Sequence, residues 1–279
     1  MMDLEALRAT TAIACLLGAV ALGPSIAHGG APAPAEDLVQ KIEASRAVDL
    51  THTFDDETVY WPTDRKGFEH ETLSEGETPG GWFYAAGRYG GAEHGGTHLD
   101  APIHFARGRT TADRLKLTSL IGPLVLVDVT KAAQENPDYR LTEADLLAWE
   151  KRHGRIPEGA IVVLRSGWSA RWPDRARVLG TAAPGDTENL HFPGFSAGAA
   201  QFLVEKRSIA AVGVDTPSID HGPSRDFIAH RIFSGADKPG FENLANLEAL
   251  PENGATLIAL PMKIGGGSGA PLRAIALLP

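Results

Sequence analysis

Three of the ten histidines, His94, His98 and His104, fall within eleven residues, and the carboxylate of Asp100 lies between them. Imidazole and carboxylate side chains clustered in this way are typical ligands of a metal ion. The chain contains one cysteine, Cys15, which excludes a cysteine-based zinc site and an intramolecular disulfide. The cluster therefore predicts a metal site built from His, Asp and Glu, and this set of N and O donors suits Zn²⁺ or Mn²⁺.

A bent strand is the element that can bring these side chains together. A helix would place His94 and His98 on one face but would turn Asp100 away from them. In a strand all these side chains point the same way, although a straight strand would separate His94 from His98 by about 13 Å. The pair Gly95-Gly96 disfavours a helix and permits a sharp bend that folds His94 back. We therefore expect His94, His98 and Asp100 to lie in one pocket, with His104 at its rim.

The other histidines do not form such a cluster. A single histidine is usually a surface residue, or a core residue whose hydrogen bonds are satisfied. We apply this interpretation to His52, His70, His153 and His191.

Composition and charge exclude several classes of protein. The 279 residues are 43% hydrophobic and 22% charged, which is typical of a soluble globular protein and excludes a disordered tail or a coiled coil. The 31 glycines and 19 prolines show no triplet period, so collagen is excluded. The net charge of −9, with no basic block, argues against nucleic acid as a partner.

The first 27 residues read as a secretory signal. Residues 9–27 carry no charge, Arg8 precedes them, and the small residues Ser25 and Ala27 fit a cleavage site near Ala27. An uncleaved membrane anchor and a lipoprotein signal at Cys15 are the alternatives. We expect cleavage, export to the periplasm or beyond, and no stable membrane insertion afterwards. Residues 28–46 are rich in Gly, Pro and Ala and read as a linker.

Residues 47–279 show an α/β pattern without repeats, which indicates one domain. Short apolar runs at 124–129, 161–164, 209–214 and 256–260 predict strands that are buried on both faces. Helices are predicted at 141–153, with Thr142 as the N-cap, and at 196–206.

Several segments together resemble the cyclase family of metal-dependent hydrolases, which includes bacterial kynurenine formamidase and isatin hydrolase. The stretch from His94 to Phe105 is similar to that family's HxGTHxDxPxHF signature. Further matching segments, in chain order, are Asp49-Leu50-Thr51-His52, Trp61-Pro62, the run 212–220, Ala229-His230-Arg231, Glu242, the run 260–263 and the run 271–274. The resemblance extends over about residues 47–279.

The resemblance implies roles for particular residues. His94, His98 and Asp100 would bind one divalent ion, and Asp100 would bridge to a second ion held by His230 and Glu242. Beyond these ligands, His104 would donate and accept the proton, and Trp61 would line the substrate pocket. The cofactor would be one or two ions of Zn²⁺ or Mn²⁺.

The resemblance also implies a fold and an assembly. The expected fold is a single α/β domain with a mixed, barrel-like sheet core flanked by helices, assembled as a homo-oligomer such as a dimer or tetramer. The chain is longer than the short formamidases, and Thr63 follows Trp61-Pro62 where they often have Gly. The aromatics of Gly81-Trp82-Phe83-Tyr84 stand upstream of the metal motif. These features make the chain more similar to the isatin hydrolase branch.

The function that follows is hydrolysis of a small aryl formamide or cyclic amide by metal-activated water, with His104 protonating the amine that leaves. An aromatic pocket would select a flat aryl substrate, although simple core packing of Trp61 and Trp82 is an alternative. Two other functions remain open: an esterase or lactonase on the same scaffold, and a periplasmic metal- or ligand-binding protein without catalysis.

Overall fold

The computed structural model describes residues 39, 40, 42 and 46–279. The predicted signal segment lies outside these residues, and so does most of the predicted linker. Both therefore stay predictions, as do the domain boundaries that depend on them. Within the part of the chain that the structure describes, no helix is long and apolar enough to cross a bilayer.

Residues 46–279 form twelve strands and five α-helices. The strands are Ala47–Asp49 (β1), Glu69–Glu77 (β2), Phe83–Gly90 (β3), His98–Asp100 (β4), Ile121–Asp128 (β5), Arg140–Leu141 (β6), Ile161–Arg165 (β7), Gly194–Phe195 (β8), Ala211–Val214 (β9), Gly240–Glu242 (β10), Thr256–Pro261 (β11) and Gly269–Leu277 (β12). The α-helices are Thr130–Glu135 (α1), Glu143–His153 (α2), Arg175–Leu179 (α3), Ala197–Phe202 (α4) and Ile228–Gly235 (α5). Short 3-10 helices span Pro102–His104, Ala112–Arg114, Leu117–Ser119, Trp168–Arg171 and Leu247–Ala249, and a π-helical turn over Leu203–Arg207 continues α4.

Seven strands close into a mixed barrel. Their order is β12-β11-β5-β7-β9-β10-β4, and β4 pairs back onto the beginning of β12. The strands β5, β7, β9 and β10 run parallel to one another, whereas β4, β11 and β12 pair antiparallel. Beyond the barrel, β1 pairs with the last residues of β12. The predicted α/β fold with a barrel-like sheet and flanking helices is confirmed.

Alternate residues of the barrel strands pack into two separate cores. In β5, Leu124 and Leu126 belong to the core that fills the barrel, whereas Val125 and Val127 belong to the core beneath the helices. This alternation follows from the two-residue period of a strand. It explains why β5, β7 and β9 read as continuous apolar runs, and for these three the prediction of burial on both faces is confirmed. For the run 256–260 the prediction is wrong, because β11 buries Leu257 and Ala259 but leaves Leu260 45% exposed.

The predicted helix over 141–153 begins at its capping box. The Thr142 side chain accepts a hydrogen bond from the Asp145 backbone N–H, and the Asp145 carboxylate accepts from the backbone N–H of Thr142. Leu146 and Trp149 are buried, but Leu147 is 46% exposed. One residue step turns a side chain by about 100° around a helix, so neighbouring leucines cannot both face the core.

The strands β2 and β3 form a separate two-stranded sheet outside the barrel. This hairpin was not predicted, since β2 is mostly polar and neither strand alternates apolar with polar residues. Trp82 lies at its turn and is 62% exposed, so the interpretation of Trp82 as a core or pocket residue is wrong.

Candidate active site

The bend that was predicted at Gly95-Gly96 is present. Tyr60 and Gly95 form an isolated antiparallel bridge, and Gly96 has φ +58°. That left-handed backbone favours glycine because a side chain there is strained. Gly269 in β12 is equally required, since a Cβ atom at this residue would lie 2.5 Å from the imidazole of His94. Both glycines therefore allow His94 to fold back against β4.

Asp100 lies at the centre of the site. Its Oδ1 atom is 2.6 Å from Nδ1 of His94 and 3.2 Å from Nε2 of His98. Its Oδ2 atom is 2.9 Å from Nε2 of His230 and 3.9 Å from Nε2 of His104. All four predicted histidines thus surround one buried carboxylate.

Strand register places Glu242 beside this cluster. Glu242 in β10 lies directly opposite His98 in β4, so their side chains point to the same face of the barrel. One carboxylate oxygen is 3.4 Å from Nε2 of His98, and the other is 3.2 Å from Nε2 of His230. The two residues, 144 positions apart in the chain, come together because the barrel closes between β10 and β12 through β4.

The buried imidazole of His98 shows that these residues fit a cation. Its Nδ1–H donates to the carbonyl oxygen of Gly96 at 3.0 Å, which leaves Nε2 as an acceptor. Nε2 has no hydrogen-bond partner among the described residues, yet it faces the carboxylates of Asp100 and Glu242. Three acceptors that converge in a buried place require a positive charge between them, and they are ligands suited to a divalent metal.

Electrostatics of the cluster favour positive charge in the same place. Burial lowers the pKa of His98, but the close approach to Asp100 and the negative charges of Asp100 and Glu242 outweigh burial, so this pKa is raised. Burial raises the pKa of Asp100, but the charge of His94 and the contacts with His230 outweigh it and hold the pKa of Asp100 well below its usual value. Burial and the charge of Asp100 together raise the pKa of Glu242.

His104 occupies the rim that was expected for it. Its side chain is 30% exposed, and its ring stacks on that of His94 with 3.9 Å between centroids. Burial lowers the pKa of His104 to about 4, despite the opposing charge of Asp100. The imidazole is therefore neutral at pH 7 and able to accept a proton.

The ligand atoms do not group in the two sets that were predicted for two ions. Those of His98, Asp100 and Glu242 lie within 4.8 Å of one another, and so do those of His94, Asp100 and His104. The resemblance instead implied that His94 and His98 bind one ion and that His230 and Glu242 bind the other. Asp100 is common to every grouping, and the division of ligands between ions stays a prediction.

Asp220 contacts the candidate site, although the sequence reasoning left it outside. Nδ1–H of His230 donates to its carboxylate at 2.7 Å, and the backbone N–H groups of Ala229 and His230 donate to the same group. Asp220 therefore fixes the ring of His230 and satisfies the first turn of α5 at once. The signal that could have identified it is a carboxylate that follows β9 and lies 10 residues before the predicted ligand His230.

We expect Asp220→Asn to weaken binding of Zn²⁺ or Mn²⁺ by about 10- to 100-fold, the usual cost of losing a hydrogen-bonding partner of a ligand. The amide has nearly the shape of the carboxylate but no charge with which to orient His230. Competition with a chromophoric chelator measures the affinity. Asp226→Asn, an exposed change in the same loop, is the matched control. An unchanged affinity in Asp220→Asn would remove the orienting role.

A second set of contacts supports His94. The backbone N–H groups of Ser268 and Gly269 and the Ser268 hydroxyl all donate to one carboxylate oxygen of Glu93. Nε2 of His94 lies 2.9 Å from the Ser268 hydroxyl oxygen, which accepts from Nε2–H when the hydroxyl donates to Glu93. This arrangement directs Nδ1 of His94 towards Asp100. The sequence offered no sign of it, because Ser268 is 174 residues from His94.

The cluster opens into a cavity of about 440 Å³ with aromatic walls. Trp61, Phe105 and Phe227 line it together with the predicted ligands and His104. The Phe105 and Phe227 rings lie 5.3 Å apart, and Trp61 contacts Phe227 with 6.4 Å between centroids. This volume falls in the usual range for small-molecule sites, about 300–1,000 Å³. Trp61 therefore lines this cavity, and its contact with a substrate stays a prediction.

Comparison with known proteins gives the same assignment as the sequence motifs. Residues 48–221 match the family model described as "Putative cyclase". The chain is 37% identical over 195 residues to an isatin hydrolase of Roseibium aggregatum, which covers 67% of this chain and 72% of that protein. It is 28% identical over 230 residues to a kynurenine formamidase of Salinibacter ruber, which covers 82% of this chain and 95% of that protein.

A solved structure gives the corresponding likeness in three dimensions. An isatin hydrolase bound to the product analogue thioisatinate superposes with a TM-score of 0.79 and 32% sequence identity, over 88% of this chain and 97% of that one. The family match, the barrel and the His/Asp/Glu cluster agree with one another. The chain belongs to the cyclase family.

Proposed function

We propose that this protein is a metal-dependent hydrolase that cleaves the C–N bond of a small aryl amide, with isatin-like cyclic amides as the preferred class and aryl formamides such as formylkynurenine as the second. The observation that carries the proposal is the set of buried acceptors around Asp100, with Nε2 of His98 unpartnered among them, at the base of an aromatic cavity. A metal site with an adjacent neutral imidazole is equipped for hydrolysis.

The proposed cofactor is one or two divalent ions, Zn²⁺ or Mn²⁺. The residues that would hold them are His94, His98, Asp100, His230 and Glu242. When bound, such an ion polarises a carbonyl group and makes a water molecule more acidic.

His104 carries the proton transfers in this proposal. Its neutral imidazole accepts a proton from the attacking water as the new C–O bond forms. The protonated ring then donates to the amine nitrogen as the C–N bond breaks, and the products are an arylamine and a carboxylate. For a cyclic amide, both product groups stay on one molecule. The position of His104 at the rim, 3.9 Å from Asp100, allows it to contact substrate without itself being buried in the ligand cluster.

The aromatic walls support an aryl substrate. Trp61, Phe105 and Phe227 offer flat apolar surfaces around the cavity, and burial of an aromatic ring between such surfaces is favourable in area and in ring geometry. The likeness to an isatin hydrolase at 37% identity, against 28% for a kynurenine formamidase, supports the order of the two substrate classes.

Two other functions are the competing outcomes. An esterase or lactonase would use the same site, since expulsion of an alkoxide depends less on an acid than expulsion of an amine. A metal- or ligand-binding protein without catalysis would need no proton carrier, and the position of His104 at the rim, 3.9 Å from Asp100, argues against it.

Hydrolysis of a matched panel tests the proposal. The metal-loaded protein is assayed with isatin, an aryl formamide, and the corresponding aryl ester and lactone. We expect kcat/KM to be highest for the cyclic amide. A higher value for the ester or lactone would favour the second function, and no turnover of any compound by protein with a full metal complement would favour the third.

Export and assembly complete the proposal. We extend it to a protein cleaved near Ala27 and exported to the periplasm or beyond, with residues 47–279 as the catalytic domain in a homo-oligomer. Loss of Cys15 with the signal would leave no thiol to oxidise outside the cytoplasm.

A further inference from the structure

Tyr60 and Asp64 line the cavity without belonging to the ligand cluster or to its aromatic walls. They lie on either side of the Trp61-Pro62 turn in the chain, and together we call them the polar end. The hydrolysis proposed above makes no use of either side chain. A few polar groups in a mostly apolar cavity usually fix the orientation of a ligand and select among ligands. The polar end therefore indicates a polar group on the molecule that the cavity binds.

Two glycines fix the position of the Tyr60 ring. The backbone of Tyr60 pairs with Gly95, and a Cβ atom at Gly95 would lie 2.1 Å from Cδ1 of the ring. The far end of the ring lies next to Gly91, where a Cβ atom would be 2.7 Å from the hydroxyl oxygen. No side chain fits at either glycine without displacing the ring. The hydroxyl of Tyr60 is thus held at a defined place.

The Tyr60 hydroxyl has an unused hydrogen bond at that place. Tyr60 is 3% exposed and lines the cavity, yet its hydroxyl forms no hydrogen bond with any residue that the structure describes. Burial and the negative charge of Asp64 raise the pKa of Tyr60 to about 12, so the hydroxyl keeps its proton at neutral pH. A donor in a nearly buried side chain is costly to leave unpaired. Its acceptor can come from a molecule in the cavity.

Asp64 supplies an acceptor in the same part of the cavity. Its Oδ1 atom accepts from the backbone N–H groups of Lys66 and Gly67 at 2.8 and 3.0 Å, which holds the carboxylate in place. Its Oδ2 atom has no hydrogen-bond partner within the described part of the chain. The carbonyl oxygen of Gly67 lies 3.4 Å from the same Cβ position at Gly91 that the Tyr60 hydroxyl approaches. The loop that holds Asp64 therefore lies beside that hydroxyl.

The polar end offers one donor and one acceptor, and a hydroxyl group is complementary to that pair. It accepts from Tyr60 through its oxygen and donates its own proton to Asp64. An ether oxygen accepts but cannot donate, and a methyl group does neither. An ammonium group would leave the Tyr60 donor unused, and the exposed cations Arg65 and Lys66 next to Asp64 would repel it.

The cavity has room for a substituted ring. An apolar cavity of about 150 Å³ is enough to hold benzene, whereas this cavity has a volume of about 440 Å³. The same cavity is continuous from the ligand cluster to the polar end. An aryl ring between the aromatic walls can therefore reach both with groups on different sides of the ring.

We propose that the preferred substrate is a hydroxyaryl amide, whose phenol hydroxyl accepts from Tyr60 and donates to Asp64. This inference rests on the proposed function and narrows its substrate class. Tyr60 and Asp64 are then specificity-determining residues, and they take no part in breaking the C–N bond.

Isatins that differ in one ring substituent test the inference. The hydroxy compounds are assayed at each ring position, and the best of them is compared with isatin and with its own methoxy counterpart. We expect kcat/KM of the hydroxy compound to exceed both by at least about 10-fold, since one of its two hydrogen bonds is to a charged group. Equal values for isatin and for every hydroxyisatin would overturn the inference.

Two variants assign the preference to the polar end. Tyr60→Phe keeps the ring against Gly95 and removes the hydroxyl, and Asp64→Asn keeps an acceptor for Lys66 and Gly67 and removes the charge. We expect the ratio of kcat/KM, hydroxyisatin over isatin, to fall by about 3- to 10-fold in Tyr60→Phe and by about 10- to 100-fold in Asp64→Asn. An unaltered ratio in either variant would contradict the role of that residue and overturn the paired contact.

Tyr139→Phe is the matched control, because the Tyr139 hydroxyl donates to Asp145 outside the cavity. It should keep the ratio of the unaltered protein. Calorimetry with the ring-opened products, hydroxylated and unsubstituted, gives the same ratio from dissociation constants and needs no turnover. Turnover of amides without a preference for the hydroxyl group would refute this inference alone, whereas the absence of any amide turnover would refute the proposed function.

Discussion

Asp100→Ala is expected to lose both bound metal and hydrolytic activity. The buried Asp100 carboxylate is within reach of every predicted histidine, so its loss leaves the cluster without its central ligand. The affinity for metal should fall by more than the roughly 10- to 100-fold that loss of an orienting neighbour costs. Elemental analysis after gel filtration gives the metal content, and kcat is measured on the same sample.

A matched control separates loss of the ligand from loss of the fold. Asp64 also lines the cavity, but its carboxylate accepts from the backbone N–H groups of Lys66 and Gly67 and stands apart from the cluster. Asp64→Ala should keep the metal stoichiometry of the unaltered protein, and both variants should show the same circular dichroism. Full metal content in Asp100→Ala would refute the central position given to this residue.

His104→Gln is expected to lower kcat for an amide by about 10²- to 10⁴-fold, the usual contribution of a general acid or base. Glutamine keeps a polar side chain of similar reach but cannot carry a proton between water and the amine. The metal content should stay unchanged, because His98, Asp100 and Glu242 form a ligand group without His104. Stopped assays of turnover and elemental analysis measure the two quantities.

Two comparisons make the role of His104 specific. His153→Gln alters a histidine that pairs with Glu252, outside the cavity, and should leave turnover unchanged. An aryl ester with a good leaving group should lose less activity in His104→Gln than the amide does, because it needs less help from an acid. Normal amide turnover in His104→Gln would eliminate the assigned proton transfers.

Local chemistry made the centre of the site predictable from sequence. His94, His98 and Asp100 lie on one short segment, and the Gly95-Gly96 pair within it already implied the bend that brings them together. The strands β5, β7 and β9 could also be predicted from sequence, since continuous apolar runs indicate burial on both faces. His230, Glu242 and Trp61 came from the resemblance, because nothing in their local sequence distinguishes a ligand or a pocket wall from an ordinary residue.

Contacts between distant parts of the chain could not be predicted from the sequence. The link from His94 through Ser268 to Glu93 depends on how β12 closes the barrel against β4, which no local pattern encodes. The hairpin of β2 and β3 was not predicted for another reason. Its strands face surroundings on both sides and so lack the apolar alternation by which a strand is recognised.

Removal and return of metal is the most direct test of the central claim, that a His/Asp/Glu metal site performs amide hydrolysis. The protein is dialysed against a chelator, its metal content is measured, and kcat for a cyclic amide is followed as Zn²⁺ or Mn²⁺ is added back. We predict no turnover without metal and a linear recovery that stops at one or two equivalents per chain. Full turnover by the metal-free protein would contradict the account.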